Sequence, residues 1–145
     1  MAGEVRTWPA LLRGLFDMDK RVFVPRFDSA NSVMDMVSLR DFKDFENLPV
    51  YKWGIRQPAL EETRENALQT GGVDLVLCPG VAFTTAGLRL GHGKGYYDSF
   101  LHGHKEACGQ FPYTIALSLK QQIVGEVPTT EWDVTLDEVL FDDSQ

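Results

Sequence analysis

The residues best suited to chemistry in this chain lie in one stretch, RLGHGKGYYDSF, from Arg89 to Phe100. Gly91, Gly93 and Gly95 alternate with His92 and Lys94, and Tyr96, Tyr97 and Asp98 follow directly. Glycines at that spacing let a backbone adopt positive φ and approach a ligand closely. A glycine loop that opens a helix aims N–H groups at one point, which favours an anion, phosphate above all. Lys94 and Arg89 add full charges, and a concave run of N–H groups forms a nest for oxygen atoms. The plain alternative is a turn that merely starts a helix. The stretch is not a Walker A loop: Leu88 stands five before Gly93, and Tyr96 rather than Ser or Thr follows Gly-Lys-Gly. Nor is it a GxGxxG fingerprint, whose third glycine would fall on Tyr96.

Such a loop needs a scaffold, and the pattern of the chain predicts one. GGVDLVLCPG is a continuous apolar run between turn residues and reads as a strand buried on both faces, typical of a parallel sheet. TTAGLRLG reads as a turn or hairpin, and a helix starts near Gly95 and runs through Tyr96, Tyr97, Phe100 and Leu101. YTIALSL is a second buried strand and DEVLFDD a shorter last one. Before this block, Trp8, Leu11, Leu12, Leu15 and Phe16 recur at helical spacing, with Thr7 as N-cap and Pro9 in the first turn. RVFVPRF predicts a strand that stops at Pro25, MDMVSL a second strand, and DFKDFENL a short helical turn. Residues 53–70 read as a long loop with some helix. Strand and helix alternate, so the expected class is α/β with a mostly parallel sheet.

Composition narrows the field. The chain has 145 residues and is 43% hydrophobic, which fits one globular domain over residues 1–145. A net charge of −7 argues against nucleic acid as partner. Anionic small ligands stay open, because at physiological salt screening acts over about 8 Å. Cys78 and Cys108 are the two cysteines, with no CxxC spacing, so zinc is not expected. Cys78, inside LVLCPG, reads as a buried structural thiol. No apolar run reaches the roughly 18 residues of a membrane span, and the N-terminus shows no signal-peptide pattern. A soluble, cytoplasmic monomer without membrane contact is expected.

The run PGVAFTTAGLRLGHGKGYYDSFL resembles the signature of 5-formyltetrahydrofolate cyclo-ligases, also called methenyltetrahydrofolate synthetases. The likeness extends through VFVPRF, MDMV, KWGIRQP, ALQTGGVDLVLCPG and the C-terminal VP…WD…DEVLFDD, from about Glu4 to the C-terminus. It implies a three-layer, Rossmann-like fold whose mostly parallel sheet is flanked by helices. It also implies a ligase that uses ATP and Mg2+ to convert 5-formyltetrahydrofolate to 5,10-methenyltetrahydrofolate, with both small molecules as partners.

The resemblance further implies roles for particular residues. Arg89 and Lys94 would neutralise phosphate oxygens; Gly91, His92, Gly93 and Gly95 would line the ATP loop; Tyr96 and Tyr97 fall in the ATP and folate contact region, one of the pair having core packing as its alternative. Lys94, Arg89 and Tyr96 are the expected catalytic residues. Asp98 and Asp133 match the magnesium positions, with a turn or capping aspartate as the alternative for Asp133. Glu4, Met34 and Trp53 would meet folate, as Tyr96 would; Met34 and Met36 are equally explained as strand core and Trp53 as core packing. Arg26 matches the family's Pro-Arg pair.

Two departures from the family pattern stand out. His92 replaces a residue that is basic in the family, which weakens phosphate attraction there. The chain also begins where the family's second structural segment begins, so the usual N-terminal helix, with its Lys and Arg for ATP phosphates, and the strand after it are expected to be missing. The alternative reading is therefore a catalytically impaired short form that binds folate or nucleotide without turnover.

Overall fold

A computed structural model describes residues 2–51 and 54–142, with side chains from residue 8 onward. It divides into two compact units, Met1–Thr70 and Gly71–Gln145.

The first unit opens with α1, Ala2–Asp17. This helix starts earlier than its apolar spacing suggests, so Thr7 lies within it and is not its cap. Ala2, Glu4 and Arg6 are good helix formers and extend it through Thr7; Pro9 removes one interior hydrogen bond without ending it. Strand β1, Val22–Asp28, pairs antiparallel with β2, Val33–Leu39, Pro25 standing opposite Met36. The strand does not stop at Pro25. The N–H of Phe27 donates to Gln57 Oε1 at 3.0 Å, on the side away from β2. Pro25, two residues earlier, turns its nitrogen to that same outer side, so its missing N–H costs no ladder bond. Helix α2, Phe42–Glu46, is capped by Asp41, whose carboxylate accepts from the Asp44 N–H. Leu12, Val22, Leu39 and Leu48 form the core of this unit, with Leu15, Phe16 and Phe45 packed against it.

Two arginines tie the loop after α2 to the hairpin. Arg64 grips Asp44 with both terminal nitrogens, at 2.7 and 2.9 Å, and donates to the Ser38 carbonyl. The Arg64 guanidinium holds the Asp44 carboxyl below its ordinary value. Arg26 makes a two-pronged contact with Asp35 and donates to the carbonyls of Ala59 and Glu62.

The second unit holds β3, Leu75–Leu77; a small hairpin of β4, Ala82–Phe83, and β5, Arg89–Leu90; α3, Tyr96–Cys108; β6, Tyr113–Ser118; and β7, Glu138–Phe141. Strands β3, β6 and β7 form a parallel sheet in the order β3-β6-β7, which with the helices gives the expected α/β class. The hairpin and the helix start at Gly95 appear where the sequence places them. Burial of the sheet differs from expectation. Val76, Thr114 and Ala116 are buried, but Leu75 is 46% exposed, and Tyr113, Leu117 and Leu140 are exposed too. These strands alternate because one face is covered and the other is open, not because both are covered. Asp98, Phe100, Leu101 and His104 are the α3 side chains buried in this unit, with Phe83 and Leu136. His104 accepts the Val73 N–H at Nε2 and donates from Nδ1 to the Gln110 carbonyl, which fixes its neutral tautomer. Among the described residues, no helix is long and apolar enough to cross a membrane.

Candidate functional site

The glycine loop joins β5 to α3. Gly93 and Gly95 take φ of +90 and +68, which L side chains rarely adopt. Gly95 is the N-cap of α3 and brings no side chain to cap it. The N–H groups of a first helical turn have no carbonyl four residues back, so this end of α3 presents donors beside the loop. His92 and Lys94 are exposed, and Lys94 forms no hydrogen bond or ion pair among the described residues. The loop thus carries one cation that is committed to nothing else.

Arg89 is placed differently. Its side chain is only 7% exposed. Nη1 donates to the Pro79 carbonyl at 2.8 Å, and Nη2 to Asp98 Oδ2 at 3.3 Å. The guanidinium carbon lies 5.7 Å from the centre of the Tyr97 ring. Arg89 therefore joins the end of β3 to the first turn of α3 as a buried cation. Burial pushes the Tyr97 phenol up, with Arg89 opposing. Cys78, just before Pro79, is buried and its thiol is pushed up to about 12, so it is inert as the sequence suggests. Gln122, just beyond β6, donates to the Gly80 carbonyl at 3.0 Å. The loop, Arg89 and Gln122 thus meet at the carboxyl ends of β3 and β6. In open α/β sheets ligands bind in the crevice outside those ends.

Asp98 is buried and accepts two donors: Arg89 at Oδ2 and the backbone N–H of Val134 at Oδ1, 3.0 Å away. That second bond brings the Thr130–Val134 turn, and Asp133 with it, to the start of α3. Asp133 Oδ2 accepts the Thr130 N–H at 2.9 Å, so it is also a turn aspartate. Among the described residues, no group of three or more His, Cys, Asp or Glu could hold a metal ion. Asp98 and Asp133 are carboxylate oxygen donors on neighbouring segments, the ligand type that magnesium takes alongside phosphate oxygens and water.

The structure brings together Arg89, the loop Gly91–Gly95, Tyr96, Tyr97, Asp98 and Asp133. The other expected contacts belong to the first unit. Met34 is half-buried in β2 opposite Phe27, and Met36 is buried. Arg26 is engaged with Asp35 and two loop carbonyls. Glu4 lies in α1 with its side chain outside the described part, and Trp53 lies outside the described residues. Residues that the sequence did not single out contribute through the backbone: the carbonyls of Pro79 and Gly80 and the N–H of Val134. Backbone groups leave no mark in side-chain chemistry.

Known proteins resemble this chain along most of its length. The model of the 5-formyltetrahydrofolate cyclo-ligase family matches residues 1–142. A probable 5-formyltetrahydrofolate cyclo-ligase of Caenorhabditis elegans is 44% identical over 142 residues, covering 97% of this chain and 68% of its own length. The 5-formyltetrahydrofolate cyclo-ligase of Mus musculus is 42% identical over 144 residues, covering 99% of this chain and 70% of its own. Among solved structures, a 5,10-methenyltetrahydrofolate synthetase from Mycoplasma pneumoniae matches with a TM-score of 0.56 and 25% identity, over 86% of this chain and 58% of that one.

Proposed function

We propose an activity on the premise that this chain belongs to the 5-formyltetrahydrofolate cyclo-ligase family, as its match to the family model and to relatives at 44% and 42% identity establishes. The activity is ATP- and Mg2+-dependent closure of 5-formyltetrahydrofolate to 5,10-methenyltetrahydrofolate, with release of ADP and phosphate. The observation that carries it is the glycine loop opening α3, with Lys94 exposed and Asp98 and Asp133 beside it.

The chemistry follows from the substrate. A formyl oxygen is a poor leaving group. Attack of that oxygen on the γ-phosphorus breaks the bond to ADP and yields a phosphorylated formyl group. N10 then attacks the activated carbon and loses its proton to solvent, the C–O bond breaks, and the oxygen departs with phosphate. In such transfers the protein chiefly positions the reactants and stabilises charge. The loop N–H groups and the N-terminus of α3 cradle phosphate oxygens, the helix dipole adding about 0.3–1 kcal/mol. Lys94 supplies the exposed cation. Arg89, bound to the Pro79 carbonyl and to Asp98, holds the end of β3 to the first turn of α3 and so steadies the start of the helix. Tyr96, the first residue of α3 directly after the loop, would meet ATP and folate there. Magnesium, held by Asp98 and Asp133, would neutralise charge on the transferred phosphoryl group.

Formation of methenyltetrahydrofolate absorbance with MgATP, matched by an equal yield of ADP, tests this reading. One observation favours the alternative of a folate- or nucleotide-binding module: the charge of Arg89 is already paired with Asp98, which leaves Lys94 as the exposed cation of the loop. Nucleotide binding without turnover would select that alternative.

A further inference from the structure

Asp98 and His102 stand one turn apart on the same face of α3, and both reach the Thr130–Val134 turn. Asp98 Oδ1 accepts the Val134 N–H at 3.0 Å. His102 Nε2 lies 2.7 Å from the Trp132 carbonyl oxygen. A carbonyl only accepts, so Nε2 carries the proton and donates. The rings of His102 and Trp132 also stack, with centroids 3.7 Å apart and planes inclined by 19°. Phe111 meets the His102 ring edge-on at 5.6 Å, and the Lys105 ammonium lies 4.9 Å from the centre of Phe111. The two anchors fall on the residues immediately before and after Asp133. Trp132 itself is 53% exposed, so burial of its indole is not what fixes the turn.

We propose that His102 is a positioning residue. With Asp98 it clamps Trp132 and Val134 onto α3 and so sets where Asp133 stands at the start of that helix. The stack against Trp132 orients the imidazole so that Nε2 points at the carbonyl. The resemblance assigns no role to His102 or Trp132. The clamp rests on the contacts alone; its part in ligand binding rests on the nucleotide-site reading above.

The test compares wild type, His102→Leu and His102→Gln in the full chain. Three quantities are read: amide exchange at Val134, the Mg2+ concentration for half-maximal ADP binding by calorimetry, and KM for the folate substrate. Leucine removes both the bond and the ring stack, whereas glutamine keeps an amide donor that can reach the carbonyl. His102→Leu is expected to speed Val134 exchange by about tenfold or more, as local openings become easier. It should raise the half-maximal Mg2+ concentration by roughly tenfold, the usual scale for groups that orient metal ligands. KM for folate should hold, and His102→Gln should recover part of both losses. If His102→Leu lowers only the melting temperature, with Val134 exchange and Mg2+ dependence unchanged, the proposal is overturned. A wild-type chain that bound no nucleotide would remove the activity reading, and Val134 exchange would still decide the clamp.

Discussion

Arg89 Nη2 stands 3.3 Å from Asp98 Oδ2, and the two side chains are only 7% and 12% exposed. Removing one partner of such a pair strands the other charge away from water. Asp98→Ala is therefore expected to lower unfolding stability by about 3 kcal/mol or more. The double change Arg89→Met with Asp98→Leu should cost less than Asp98→Ala alone, because no charge is left unmatched. Urea unfolding of the three chains checks the order; a double variant weaker than the single one would show that the pair itself, not charge matching, stabilises this region.

Lys94 should behave in the opposite way. It is exposed and has no partner among the described residues, so Lys94→Ala should leave the melting temperature in place. Loss of one charge-assisted contact, about 1.5 kcal/mol at least, should raise the ATP concentration for half-maximal binding by about tenfold or more. Folate binding should change much less. Equal weakening of both ligands would place Lys94 outside the phosphate site.

Acid should loosen the first unit through Asp44. Arg64 holds this carboxyl below its ordinary value of 3.8, so the folded state binds the proton less readily than the unfolded state. The stability from this contact is fully present above the unfolded value and is lost as pH falls through the folded one. Urea midpoints of wild type should accordingly drop from about pH 5 downward, and Asp44→Asn should flatten that limb while lowering stability at neutral pH. A parallel acid limb in the variant would assign the effect to other carboxylates.

Gly71 and Gly72 both have positive φ, at +96 and +83, but only Gly72 is crowded. A Cβ at Gly72 would meet His104 Nε2 at 2.5 Å and Cys108 Sγ at 2.9 Å, whereas at Gly71 it would meet nothing within 4 Å. Gly71→Ala should cost about 1 kcal/mol from backbone strain. Gly72→Ala should cost clearly more, since it also displaces the ring that accepts the Val73 N–H. Equal costs from thermal unfolding would mean that His104 yields freely.

The glycine loop, the helix it opens and the hairpin before it were legible because glycine, aromatic and apolar spacing are local signals. The strand through Pro25 was not, since tolerance for proline depends on which side faces β2, and that is a property of the pairing. The burial of Arg89 was hidden for a similar reason: its partners, the Pro79 carbonyl and Asp98, meet it only once β3, β5 and α3 come together. The Val134 N–H and the stack of Trp132 on His102 join segments some 30 residues apart, and nothing in either segment marks the other. One-sided burial of the sheet escaped notice because LVLC and YTIALSL are apolar at nearly every position, exposed or not.

The registers of the β1-β2 hairpin and of the parallel sheet imply an order of events as the chain folds. Val22 to Asp28 find Val33 to Leu39 across a short turn, so that hairpin closes a small loop and forms on the microsecond scale. Leu75 has to meet Tyr113, and Ile115 has to meet Glu138, each across a helix or a long connection. Those closures cost more chain entropy before any contact repays them, which makes parallel pairing the slow step. Until β6 docks between its neighbours, β3 has no ladder partner. The glycine loop then acquires its fixed footing last, after the sheet beneath it is complete.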